Sequence, residues 1–154
     1  MSTFRSALTA LSNLTVSGVS INYDLGDVPD AINRGGLPAL LVLPLRTQDE
    51  SRSLFGERGS GFDAIAFSDG AKTVTYTVNH LLIVAPESAG SGLRSHLPTL
   101  IDLMDAYMQS ISADVTLGGR LLEPTAVRVE PGLYDYNETS YVGCAFRHTW
   151  RMDV

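Results

Sequence analysis

Residues 139–154 read TSYVGCAFRHTWRMDV, and the alternation in this stretch decides the fold. Even positions carry Val142, Cys144, Phe146, His148, Trp150, Met152 and Val154. Odd positions carry Tyr141, Gly143, Ala145, Arg147, Thr149, Arg151 and Asp153. A repeat of two is the signature of a β-strand with one face in the core. The pattern predicts a strand that ends the chain inside a sheet, with the even face buried. The odd face is left open, and Arg147 and Arg151 on it become candidates for contact with a partner. The same stretch holds the only Cys, the only Trp and one of the three His, so packing and chemistry compete for these positions.

Working back along the chain, Lys72–Pro86 alternates in the same way, with Val74, Tyr76, Val78, His80, Leu82 and Val84 on one face. Phe62–Phe67 precedes it across Ser68-Asp69-Gly70-Ala71, a hairpin turn with glycine at its tight position. Leu37–Leu45 (LPALLVLPL) is apolar throughout and suits a strand buried on both faces. Val19, Ile21 and Tyr23 make a short strand, and Asp24–Gly36 reads as an irregular loop. A first helix is expected over residues 3–14, on the stripe Phe4, Leu8, Leu11 and Leu14. The main helix is expected near 95–112, on Leu93, Leu97, Leu100, Ile101, Met104, Met108 and Ile111; Pro98 favours a start at Leu97. Thr125–Glu130 alternates, Pro131-Gly132 is expected to break it, and Leu133–Glu138 reads as a polar connection. The expected fold is a single α+β domain over residues 1–154, a mostly antiparallel sheet packed by two helices.

Composition narrows the function classes. The chain of 154 residues is 44% hydrophobic and 18% charged, which is globular with a sparse charged surface. A net charge of −6 disfavours grip on nucleic-acid phosphates. It suits a surface past which DNA slides. A lone cysteine excludes an internal disulfide. The first residues lack the apolar run of a signal peptide, and no segment reaches the ~20 apolar residues of a membrane span. A reducing cytoplasm is the expected place of synthesis.

Catalytic arrangements are poorly supported. His80, His96 and His148 lack a second ligand at metal spacing. His80 and His148 can approach each other across the sheet. Cys144 lies four residues from His148 on one strand face, about 13 Å away, too far to share a proton. Gly56-Glu57-Arg58-Gly59-Ser60-Gly61 resembles a phosphate loop in composition but leads into a strand and lacks the following Lys-Ser/Thr. No cofactor or metal is expected. The polar arm Arg46–Gly61 remains, with Arg46, Arg52, Phe55 and Arg58 as candidate anchors on a neighbouring subunit.

The order of elements resembles the tail terminator and tail-completion proteins of long-tailed bacteriophages. The resemblance is carried by the N-terminal helix, Asp24-Leu25-Gly26-Asp27-Val28-Pro29, the strand Leu37–Leu45 and the long hairpin leading into one helix. The closing segment Pro131-Gly132-Leu133-Tyr134 … Tyr141-Val142-Gly143-Cys144-Ala145-Phe146 completes it. It runs over nearly the whole chain and rests on order, length and a few residues. It implies a non-enzymatic virion protein of the tail and neck, assembled in the host cytoplasm. Such proteins form a homo-oligomeric ring, commonly a hexamer, that caps the tail tube and joins it to the head-neck connector. Their partners are further copies of the chain, the tail tube protein, the connector protein, and DNA passing through the lumen without specific binding. Two alternatives stand beside it: another head-tail connector or tube-like subunit, and a small cytoplasmic enzyme or ligand-binding domain with a pocket near His80 and Tyr76.

Overall fold

The computed structural model describes residues 3–44, 61–68 and 70–153. The described residues form two α-helices, α1 (Thr3–Ser12) and α2 (Leu93–Ala113), and six strands: β1 (Ile21–Tyr23), β2 (Ala39–Leu43), β3 (Gly61–Ser68), β4 (Ala71–Pro86), β5 (Ala126–Tyr136) and β6 (Thr139–Asp153). The sheet order is β1-β2-β4-β6-β5, with β3 also paired to β4. Only β1 and β2 run parallel among these pairings. The α+β architecture with a mostly antiparallel sheet is therefore the observed one.

β4 and β6 form the centre. Their alternation holds: Val74, Tyr76, Val78, Leu82 and Val84 join Val142, Cys144, Phe146, Trp150 and Met152 in one core, under Ala7, Leu8 and Leu11 of α1 and Leu100, Leu103, Tyr107 and Ile111 of α2. The opposite face of the sheet is also covered along its middle. There Leu41, Leu43, Leu81, Ile83, Tyr134, Tyr141 and Ala145 pack under Tyr23, Val28, Ile32 and Leu37. The Tyr136 hydroxyl donates to the Pro29 carbonyl and ties this covering loop to β5. Consequently the odd positions of β6 are not uniformly open. Tyr141, Ala145 and Arg147 are buried, and only Thr149, Arg151 and Asp153 are exposed.

Four local expectations are corrected. α1 stops at Ser12, because Asn22 on β1 donates its amide to the Leu11 and Leu14 carbonyls and closes the helix end there. α2 begins at Leu93 and keeps Pro98 inside it. Its first turn is held from outside: Ser95 donates both its N–H and its hydroxyl to the Gly92 carbonyl, and His96 Nε2 donates to the Ala89 carbonyl at 2.9 Å. β5 runs straight through Pro131-Gly132, which lie opposite Cys144 and Gly143. It is an edge strand, where a proline need not break a ladder on its open side. The residues expected as a polar connection form instead the end of β5 and a tight turn, Asn137 and Glu138 both holding positive φ, 47° and 64°.

Gly143 has a steric role. A Cβ there would stand 2.1 Å from the Leu82 carbonyl oxygen, a distance no side chain tolerates. The partner strand shifts register nearby, between Ile83 and Ala85.

Candidate functional site

The core face of β4 and β6 carries two histidines, and an apolar layer cannot leave their ring nitrogens unpaired. Helix α2 supplies the answer through Tyr107, which points into the core from the same side as Leu103 and Ile111. Its hydroxyl lies 2.8 Å from His80 Nδ1 and 2.6 Å from His148 Nε2. His80 Nε2 reaches Asn22 Oδ1 at 2.9 Å, and His148 Nδ1 reaches Thr125 Oγ1 at 2.9 Å.

The protons in this chain can be placed. Asn22 Nδ2 donates to two carbonyls, so its Oδ1 must be the acceptor, and His80 Nε2 donates to it. His80 Nδ1 then accepts from the Tyr107 O–H. The Tyr107 oxygen accepts from His148 Nε2–H, and His148 Nδ1 accepts from the Thr125 O–H. Both imidazoles are neutral in this arrangement and every donor is used once. Electrostatics agree. Burial pushes His80 well below its ordinary range, with His148 beside it adding to the effect. Burial alone holds His148 down at about 3. The Tyr107 phenol is driven well above its usual value by the same burial. The two histidines and Tyr107 are fully covered, so the chain ties β1, β4, β6, α2 and the segment before β5 together. Sequence reasoning missed Tyr107. The signal was a tyrosine on the core stripe of α2 facing two histidines on strand core faces.

Cys144 lies deep in the same core. Its thiol is 3.8 Å from the Ala145 carbonyl, and burial raises it to about 12, so it is not a thiolate at neutral pH. Tyr76 is buried against Phe4 and Trp150, with its hydroxyl donating to the Pro44 carbonyl. Both His80 and Tyr76, beside which the alternative reading places a pocket, are buried and hydrogen-bonded within the protein. A shallow groove lies elsewhere, between Leu14 and Thr15 after α1 and Ala106, Gln109 and Ser110 of α2. Among the described residues no three His, Cys, Asp or Glu side chains are grouped as metal ligands. No described helix is long and apolar enough to cross a membrane.

The candidate interface residues separate. Arg46, Arg52, Phe55 and Arg58 lie outside the described residues. Arg147, expected as a partner contact, is 4% exposed and belongs to a buried ion pair. Its Nε donates to Glu130 Oε2 at 2.6 Å and its Nη1 to Asn79 Oδ1 at 2.9 Å. Arg128 Nε stands 2.9 Å from the other oxygen of Glu130, close enough for charge attraction though off the hydrogen-bond line. Arg147 lies on the middle of β6, flanked by β4 and β5, and burial there demands partners within the sheet. Arg151, near the exposed end of β6, remains at the surface, 3.6 Å from Glu123.

The surface carries what the core does not. α2 is apolar on two adjacent stripes. The buried one is Leu100, Leu103, Tyr107 and Ile111, whereas Leu93, Leu97, Ile101 and Met108, expected in the core, are exposed. The long arm has a notable point of departure. Leu43 at the end of β2 pairs with Asn79, and Gly61 at the start of β3 pairs with Thr77, on one edge of β4. β2 and β3 thus lie end to end on one edge of β4, with residues 44–60 between them in the chain. Compared with protein-family models, curated proteins and solved structures, the chain finds no match in any of the three.

Proposed function

We propose that the chain is a structural virion protein, a phage tail terminator that assembles into a homo-oligomeric ring, caps the tail tube and joins it to the head-neck connector. It acts by packing against copies of itself and performs no catalysis. The reading rests first on the order of elements and the closing segment described above. The observation that carries it furthest is that β2 and β3, which flank residues 44–60 in the chain, lie end to end on one edge of β4. A segment inserted there can be devoted to a neighbouring subunit without disturbing the sheet, since both of its ends sit on the same edge of β4. An exposed apolar stripe on α2 and an edge strand, β5, add surfaces of the kind that assemblies cover. The net charge of −6 suits a conduit that lets DNA pass without holding it.

The test is assembly. The purified chain should sediment and scatter light as a ring, a hexamer being the expectation, and should terminate tubes of a tail tube protein in electron micrographs. Deleting Gln48–Gly59 should leave a folded monomer that no longer caps tubes. A full-length chain that stays monomeric at every concentration and leaves tube length unchanged overturns the reading.

A further inference from the structure

The exposed stripe of α2 runs along one side of the helix, because Leu93, Leu97, Ile101 and Met108 follow one another at intervals of four, four and seven. Ile101 is 58% exposed at its centre. Asp105, also exposed, lies four residues after Ile101 and three before Met108, so an anion borders the apolar strip. A surface of this kind takes an apolar projection with a cation beside it. The molecule has one. At the tip of the β3–β4 hairpin, Phe67 pairs in register with Lys72, and the two side chains share a face of the sheet. Phe67 is 73% exposed, the most open large apolar side chain among the described residues, and Lys72 is exposed too.

The two surfaces cannot meet within one molecule. Lys72 lies eight residues before His80 along β4, about 26 Å away. Tyr107 is bonded to His80, and Ile101 lies further back along α2, away from the tip. A knob at one end and a strip at the other are complementary only between copies, head to tail. Contacts of that type generate closed rings when the rotation between copies allows.

We propose that the hairpin tip of one copy seats on α2 of the next, with Phe67 among Leu97, Ile101 and Met108 and Lys72 facing Asp105. The methionine sulfur offers an aromatic ring a polarizable partner, and the rim charges set the register of docking. The proposal rests on the self-assembling reading above and names the surfaces that make it.

The experiment uses two full-length variants, Phe67→Asp, which spoils the knob, and Ile101→Asp, which spoils the strip. Both positions are exposed, so the far-UV circular dichroism of each variant should match the parent and separate assembly from folding. Each variant alone should be monomeric by light scattering at concentrations where the parent is a ring. Mixed in equal amounts they should form a one-to-one dimer, since one intact knob and one intact strip remain. Lys72→Glu and Asp105→Lys should each weaken assembly about tenfold, and the double swap should restore it. A ring that survives both aspartate variants overturns this interface while leaving the ring reading intact. Variants that fail to pair when mixed overturn the head-to-tail contact. A parent chain that is always monomeric overturns both readings together. If the aspartate variants still assemble yet fail to cap tubes, the strip serves the tube protein and the proposal is wrong about its occupant.

Discussion

His80 and His148 are joined through a single oxygen: the Tyr107 hydroxyl stands 2.8 Å from one ring and 2.6 Å from the other. The helix layer and the sheet are therefore connected at their centre by a polar contact in which each proton has one place. Such a contact rewards one arrangement of α2 over others, because any shift of the helix leaves buried nitrogens unpaired.

Removing that oxygen should be costly out of proportion to its size. Tyr107→Phe keeps the ring stacked on Phe146 but orphans a donor on His148 and an acceptor on His80. The expected loss is about 1–3 kcal/mol of unfolding free energy, read from urea denaturation. A change within about 0.3 kcal/mol, inside the usual scatter for surface substitutions, would mean that the hydroxyl is not holding the two rings.

Acid should loosen the fold. An unfolded histidine takes a proton near 6.5, whereas burial holds His148 down at about 3 and His80 well below its ordinary value. Between those limits the unfolded chain binds more protons than the folded one. Stability is then full above about pH 6.5 and falls as pH falls, by up to about 1.4 kcal/mol per pH unit for each histidine. Trp150, whose ring centre is 6.0 Å from that of His148, offers a fluorescence reading of the transition. His148→Gln should make the acid limb shallower; an unchanged slope would place the proton uptake elsewhere.

The Glu130–Arg147 pair should behave as a buried ion pair does. Arg147→Met leaves the Glu130 carboxylate buried beside only Arg128, and a loss of about 3–5 kcal/mol is expected. The double change Glu130→Met with Arg147→Met should recover much of it, since no uncompensated charge remains. A double-mutant cycle with coupling near zero would argue that solvent reaches the pair.

Two glycines facing each other across β5 and β6 should differ sharply. At Gly143 a methyl group would strike the Leu82 carbonyl at 2.1 Å, whereas at Gly132 its nearest neighbour is a Tyr134 ring carbon at 3.8 Å. Gly143→Ala should lower the midpoint of thermal unfolding by well over 10 °C or prevent folding, a loss of several kcal/mol. Gly132→Ala should stay within a few degrees of the parent.

The centre of the sheet was legible in the chain because periodicity there is unambiguous. The repeat of two in Lys72–Pro86 and residues 139–154, with the Asp69-Gly70 turn between Phe67 and Lys72, suffices to place β3, β4 and β6 and to choose their helix-facing side. Local signals misled where a neighbour overrode them. Pro98 stays in α2 because Gly92 and Ala89 anchor the turn before it, and Pro131 stays in β5 because its strand has an open edge. The helix stripe was the subtler case. Leucines and methionines spaced at three and four describe two adjacent sides of α2 equally well, and hydrophobicity alone cannot say which one meets the sheet.

The sequence by itself determined that β4 and β6 are long strands, which of their sides carries the main core, and that Cys144 packs rather than reacts. Only the tertiary structure decided the rest. It packed the loop between β1 and β2 over the back of the sheet, and it buried Arg147 between Glu130 of β5 and Asn79 of β4 while leaving Arg151 at the surface. It brought Tyr107 between two histidines whose positions in the chain lie 27 and 41 residues from it. The physical reason is common to both. Periodicity reports which side of an element avoids water, but partners for a buried polar group come from whatever distant segment packs against it, and that is settled only when the layers close.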